Sequence, residues 1–447
     1  MRSQTDRRSL LPSALDLALR ARLGLAGRPR LRCAVPCSGI GKAFGVAPHR
    51  PQAAVMAWIA AAVAVFYSLS SIALALLFFA RLRVLDNRLS VSVALVLPVT
   101  GTLPGLEDLL AALTAQSLRP RRLIVSVEAR EDPAYRRVAA LAEQFPQLNV
   151  ELVVAGLSAL RSQKCTNLLA ALAQLEADDA YIVLLDADIR PPPWWLAMLV
   201  APLAAGRADL VNGYRWPVPT RISLGTVLVA SIDRAVAVLP RVRWTRPAWG
   251  GSLAFTRDAL AALDLPKTIG HALTEDLPIG DRAAQTGLRV LTRRAIRPPT
   301  PLAGNLCDVW RFARRQYQLI RLYRPRLWSF AAFVVTTDLA ARIALLSNGL
   351  GWGLAVPALF VLGCLGSTAT EIRLAIGSKL GVTDGIGFRL AQHLLVWTIL
   401  PAPMFHASVI WGGAVTSPVV WRHVRYVVDN AGQVTGVARR PYSDKSV

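Results

Sequence analysis

From Ala57 to Ala80 the chain carries no charged side chain. A helix rises about 1.5 Å per residue, and about 20 apolar residues cross the roughly 30 Å hydrocarbon core of a bilayer, so this run is long enough to span one. Arg81, Arg83 and Arg88 follow at once, which places the C-terminal side of the span in the cytoplasm. A buried helix of a soluble core is the alternative. Uncharged stretches return late in the chain, at Ile343–Thr370 and, histidines apart, at Leu390–Trp421, where Pro401 and Pro403 are positioned to kink or divide the run. Two spans there bring the basic segment 422–447, with Arg422, Arg425, Arg439 and Arg440, back to the side of the middle domain. Leu327–Leu346 holds Asp338 and Arg342, and is expected at the interface or facing protein. The expectation is a multi-pass membrane protein: a span at 56–80, a soluble domain at 88–300, and a membrane region at 327–421 with two or three spans.

Composition agrees. Hydrophobic residues make up 53% and charged residues 18% of the 447 positions, too apolar for a disordered chain or an ordinary soluble enzyme. The net charge of +23 suits anionic headgroups or a phosphorylated substrate. Nucleic acid is not expected, because no zinc-finger spacing, RNP-like strand or basic heptad region is present. The five cysteines form no regular framework, and Cys33 and Cys37 lack further metal-ligating partners nearby, so reduced thiols are expected. Residues 1–55 hold ten Lys/Arg against Asp6 and Asp16 and no signal-peptide core. They read either as a basic N-terminal tail or as an over-extended reading frame with the native start at Met56.

The middle of the chain alternates short Val/Ile/Leu-rich runs (Val91–Leu97, Leu123–Val127, Val150–Val154, Tyr181–Leu185) with helical patterns (Leu106–Gln116, Ala134–Phe145, Thr166–Leu175). That predicts an α/β fold with a mostly parallel sheet, whose ligands bind beyond the carboxyl ends of the strands, after Val127 and Leu185.

Several carboxylates lie where such a site is expected. Asp186 and Asp188 leave the Tyr181–Leu185 strand and suit a hard divalent cation, or else form a solvated turn. Asp132, in Glu128–Pro133, either accepts hydrogen bonds from a nucleotide or caps the helix beginning near Pro133. Lys164 and Asn167 open a helix, where a lysine suits a phosphate or simply faces solvent. Thr274-Glu275-Asp276 follows Trp249–Ser252; it is an acidic helix start, or Asp276 faces the strand-end cleft and deprotonates an acceptor hydroxyl. The segment 301–326 has apolar residues at helical spacing amid arginines. It reads as an amphipathic interfacial helix with most arginines toward lipid, while Gln318 and Arg321 share a face that suits a diphosphate.

The order Asp132, Asp186-Ala187-Asp188, Thr274-Glu275-Asp276 and Gln318-Leu319-Ile320-Arg321 resembles the D, D, D, (Q/R)xxRW pattern of membrane glycosyltransferases. Glu131–Ala134, Gln163-Lys164 with Asn167, Asp188–Arg190 and Trp421–Tyr426 also look like ceramide glucosyltransferase (family 21) and bacterial hopanoid-pathway glycosyltransferases, over roughly residues 57–430. The resemblance implies a GT-A fold on the cytoplasmic face, a UDP-sugar donor, a membrane lipid acceptor and a divalent metal, Mg2+ or Mn2+. By the same resemblance Glu128, Asp132, Lys164, Asn167 and Asp186 contact the nucleotide sugar, and Asp186 with Asp188 the metal. Asp276 is the base, beside Glu275, while Gln318 and Arg321 contact the leaving diphosphate or acceptor region. The departure is Leu322, where the family pattern has Trp. Val211–Trp216 is expected near the acceptor or donor pocket. Within enzymes, a processive polysaccharide synthase is the alternative, but about three spans are few for a polymer channel. A non-catalytic scaffold and a transporter are the readings from other classes.

Overall fold

The computed structural model describes residues 50–85, 89–246, 248–349, 353, 355–415 and 418–442. The alternative start at Met56, for residues 1–49, and the Cys33–Cys37 pair concern segments outside these residues.

The chain enters through a 31-residue helix, α1 (Arg50–Ala80), and then builds the expected alternation. In order come β1 (Val93–Pro98), α2 (Leu106–Thr114), β2 (Arg122–Val127), α3 (Pro133–Ala142), β3 (Val150–Val154), α4 (Gln163–Leu172), β4 (Tyr181–Leu185) and α5 (Trp195–Ala204). The second half holds β5 (Leu210–Asn212), β6 (Trp216–Pro219), α6 (Leu224–Ala237), β7 (Ser252–Thr256), α7 (Arg257–Leu263), α8 (Leu265–Thr268), α9 (Asp276–Gln285), β8 (Val290–Thr292) and β9 (Pro299–Leu302). Seven strands form one sheet in the order β3-β2-β1-β4-β7-β5-β8. All neighbours are parallel except β7, which runs against both β4 and β5.

Strand alternation explains the two cores. Val93, Leu95 and Leu97 of β1 join Val183 and Leu185 of β4 on one face, against Leu109 and Leu113 of α2 and most of α5. Val96, Ile182 and Leu184 point to the other face, against Cys165 and Leu168 of α4. Each fully buried leucine contributes about 1.5–3 kcal/mol. The order reverses between β1 and β4, so the loops after these strands flank the crevice where parallel sheets bind ligands.

Two caps fix the helices beside that crevice. Ser162 accepts from the Cys165 backbone N–H, so α4 starts three residues before the expected Thr166 and includes Lys164 in its first turn. Asp132 caps α3 through Ala134 N–H with Pro133 in the first turn.

After β9, α10 (Leu306–Tyr323) leads into α11 (Pro325–Gly349), α12 (Ala355–Lys379), α13 (Ile386–Trp397) and α14 (Pro401–Gly412). Three helices are long and apolar enough to cross a membrane: Gln52–Ala80, Pro325–Ser347 and Ala355–Lys379. The last two differ from expectation. Leu327–Leu346, expected at the interface or facing protein, lies in a continuous span-length helix in which Asp338 and Arg342 pair one turn apart, 3.0 Å, and so offset each other's charge. The uncharged run Ile343–Thr370 straddles the end of α11 and the start of α12 instead of forming a single helix. The run Leu390–Trp421 is divided at Pro401, α13 and α14 meeting at 85° as a broken span or a re-entrant loop.

Segment 422–447 is not a loose tail over its described part. β10 (Val419–Trp421), β11 (Val424–Val428) and β12 (Val434–Arg439) form a three-stranded antiparallel sheet. It is clasped onto the α/β domain: Gln163 N–H donates to Tyr426 Oη at 3.0 Å, Arg439 to Gln163 Oε1 at 2.7 Å, and Val434 N–H to His271 O at 2.8 Å.

Candidate active site

A cavity opens at the carboxyl ends of β1 and β4. Its floor is Pro98–Thr100 and Asp186–Asp188; α4 contributes Gln163, Lys164 and Asn167, and the Trp249-Gly250 and Thr274–Asp276 segments close one side. Lys164 Nζ donates to Asp186 Oδ1 at 2.7 Å and lies 2.5 Å from Glu275 Oε1. Burial opposes the lysine charge, but the two carboxylates prevail and hold Lys164 well above its ordinary range. Glu275 is itself buried, which pushes its carboxyl up against the pull of Lys164. Gly250 is required by this packing, because a Cβ there would come within 1.8 Å of Glu275 Oε1.

Asp276 begins α9 and opens onto the same cavity. Its Oδ1 accepts from Thr274 Oγ1 and from the Leu277 N–H, both at 2.8 Å, which fixes the carboxylate while leaving Oδ2 for another partner.

Asp188 reaches solvent through the cavity, yet the surrounding protein and the neighbouring Asp186 raise its carboxyl above the usual range. Two carboxylates so placed, with Lys164 engaging only Asp186, favour an added cation. Oxygen donors suit Mg2+ or Mn2+, which keep open positions for water and phosphate. Among the described residues no group of three His, Cys, Asp or Glu side chains forms a complete cage, so the Asp186–Asp188 pair fits a metal shared with a substrate.

The remaining expected residues sit around this centre. Asn167 donates to Val99 O at 3.0 Å and Ser126 O at 3.2 Å, stapling the ends of β1 and β2 beneath the cavity. Asp132 is buried; besides capping α3, its Oδ1 accepts from Gly101 N–H at 2.8 Å, tying down the loop after β1. Glu128, at the end of β2, is buried against Tyr442 Oη and His423, whose Nε2 is 2.6 Å away. Neither Glu128 nor Asp132 lines the cavity.

On α10 the cavity face is Phe312, Arg315, Gln316 and Leu319, spaced by three, four and seven, so this helix is a wall of the site. Gln318 and Arg321 do not line the cavity; Gln318 is buried, and Gly413 just after α14 approaches its backbone N. Arg315 likewise faces the cavity instead of lipid. Leu322 packs with Leu319, Leu273 and Tyr426 under the C-terminal sheet.

Sequence reasoning left further wall residues unassigned. Arg215, within the flagged Val211–Trp216 segment, lines the cavity and pairs with Asp233 at 2.5 Å, to which Tyr214 Oη also donates. Trp421, Arg422, Val424 and Tyr426 arrive from the C-terminal sheet. The i, i+3, i+4, i+7 spacing on α10 was the available signal for Arg315; for Arg422 the only signal was the Trp421–Tyr426 motif.

The sequence profile of glycosyl transferase family 21 matches residues 56–434. The chain belongs to this family. The family assignment makes it a glycosyltransferase, and the mostly parallel sheet with its strand-end cavity resembles the GT-A architecture. Among solved structures, a mannosyltransferase of Pyrobaculum calidifontis, PcManGT, in complex with GDP-Man and Mn2+, is 20% identical. The alignment covers 78% of this chain and 98% of that one, with a TM-score of 0.38. Glucosyl-3-phosphoglycerate synthase of Mycobacterium tuberculosis, in complex with Mn2+ and UDP-glucose, is 17% identical over 52% of this chain and 78% of that one, TM-score 0.32. None of the curated proteins compared with the chain matches it.

Proposed function

We propose that this family 21 enzyme transfers a hexose, glucose by the family resemblance, from a UDP-sugar to the hydroxyl of a membrane lipid such as ceramide, with inversion at the anomeric carbon. The observation that carries the reading is one cavity holding a fixed carboxylate, Asp276, and a carboxylate pair, Asp186 and Asp188, in a domain joined to span-length apolar helices. The basic residues after α1 support a cytoplasmic catalytic domain.

In this reading Asp276 accepts the proton of the lipid hydroxyl through Oδ2 while Thr274 and the Leu277 N–H hold Oδ1 in place. The hydroxyl oxygen forms a bond to the anomeric carbon. The bond from that carbon to the diphosphate oxygen breaks, and its electron pair leaves with UDP. A single displacement inverts configuration and needs no covalent nucleophile. Asp186 and Asp188 would hold Mg2+ or Mn2+, which when bound neutralises charge on the diphosphate. Lys164 keeps Asp186 and Glu275 in register; Asn167 and Asp132 fix the loops on which the nucleotide rests. Gln318 and Arg321, which the resemblance sets at the diphosphate or acceptor region, lie outside the cavity lining.

The test is product stereochemistry. Purified protein in nanodiscs is given a UDP-α-hexose and ceramide, and the anomeric coupling of the glycolipid is read by proton NMR. A β-linked product agrees; an α-linked product overturns the single displacement.

A further inference from the structure

The cavity wall includes two arginines from distant parts of the chain, Arg315 on α10 and Arg422 on the C-terminal sheet. Among the described residues neither makes an ion pair, unlike Arg215 with Asp233 or Lys164 with Asp186 and Glu275. Arg315 makes a long 3.4 Å contact to Val420 O and lies 5.3 Å over the Trp421 ring and 5.7 Å over the Phe312 ring; Arg422 donates to Thr100 O at the end of β1. Trp421 also lies 5.8 Å from Lys164 Nζ, so one indole face or edge borders each of two cavity cations.

The backbone at Arg422 adds an independent observation. Trp421 pairs with Val424, leaving Arg422 and His423 as a two-residue hairpin turn. Arg422 has φ +53°, a conformation that glycine adopts freely and a long side chain does not. Gly101 accommodates it: φ there is +77°, and a Cβ would stand 2.7 Å from Arg422 Nη1. A large cation is thus held, at a cost in backbone strain, in the position where a turn favours glycine. Such strain persists where function requires the side chain.

We infer that Arg422, with Arg315 opposite it on α10, is an anion clamp for the diphosphate of the nucleotide donor, so that the C-terminal sheet is a working part of the donor site. This rests on the reading of the cavity as a nucleotide-sugar site. The clamp sits beside Asp186 and Asp188 at the strand ends, where a diphosphate must lie to share a metal with them. It receives the charge that builds on the leaving oxygen as the bond to the sugar breaks. Burial, followed for Arg315 by the like charges of Arg215 and Arg422, lowers both guanidinium groups, Arg315 to about 10, as expected for cations awaiting an anion. The same sheet covers the neighbouring end of β2, where Tyr442 and His423 meet Glu128.

The test measures binding of UDP, GDP and uridine to full-length protein in nanodiscs with Mg2+, comparing Arg422→Ala, Arg422→Gly and Arg425→Ala. Arg425 is exposed on β11 and removes the same charge without touching the cavity. Loss of a charge-assisted contact is expected to weaken diphosphate binding about 10- to 100-fold and leave uridine unchanged. Arg425→Ala is expected to bind as the parent does. Arg422→Gly separates function from folding, since relief of the turn raises thermal stability while diphosphate affinity falls. Unchanged diphosphate affinity in folded Arg422→Ala or Arg422→Gly overturns the clamp alone. If the folded parent protein binds neither diphosphate, the donor-site reading falls as well.

Discussion

At the residue scale the site is defined by how each carboxylate is held. Asp276 is fixed by two hydrogen bonds to one oxygen, so Asp276→Asn keeps the fold and removes the base. The expected result is a fall in kcat of about 10²- to 10⁴-fold with donor KM little changed, read by UDP release. Asp188 illustrates the opposite tension. Its folded-state carboxyl is raised, so the folded protein holds a proton more tightly than the unfolded chain, and the ionised side chain costs stability above that range. Asp188→Asn should therefore raise the melting temperature at pH 7 without added metal, the gain disappearing as pH falls through the raised value; activity should fall. A lower melting temperature at pH 7 would contradict the account. The acidic residues were legible in the sequence because strand ends locate them. Arg215, Arg315 and Arg422 were not, since their roles depend on packing between segments as much as 207 positions apart.

At the element scale, burial decided what the sequence revealed. β2, β3 and β4 appear within a residue of their expected bounds because short apolar runs between turn signals have little else to form. The span-length helices after residue 325 were harder: absence of charge is a poor ruler once a helix neutralises its own charges internally, as Asp338 and Arg342 do. The C-terminal strands were hidden by their charge, since Arg425 and Arg439 alternate with the buried Val424, Tyr426 and Val434. Charge also staples the first strands. Arg122 on β2 pairs with the fully buried Asp179 ahead of β4 and with Glu151 on β3 at 2.8 Å. Although burial pushes upward, the Arg122 hydrogen bond and its companions hold the Asp179 carboxyl below the usual range. Its stabilisation is present above the ordinary carboxylate range and is lost as pH falls through the depressed value. Asp179→Ala, which leaves Arg122 with Glu151 and Glu176 as its remaining carboxylate partners, should cost about 1–3 kcal/mol, measured by thermal unfolding in nanodiscs.

At the scale of the whole molecule, the catalytic domain and the apolar helices are one working unit, since α10 forms a wall of the cavity and leads directly into α11. Cysteines report the arrangement: Cys307 is exposed at the start of α10, and Cys364 is exposed midway along α12. With Cys33 and Cys37 replaced by serine, a membrane-impermeant maleimide should label Cys307 in inside-out vesicles and leave Cys364 unmodified in the lipid. Labelling of Cys307 only in right-side-out vesicles would reverse the proposed orientation. The central claim is that this cavity moves a sugar from a nucleotide to a lipid using Asp276. It is tested most directly by mass spectrometry of lipids after incubating nanodisc-held protein with UDP-sugars, Mg2+ or Mn2+ and a mixed lipid extract, beside Asp276→Asn. The account predicts a lipid heavier by one hexose, formed together with UDP and lost in the variant. Equal product from folded Asp276→Asn, or no glycolipid from the parent with any donor offered, would contradict it.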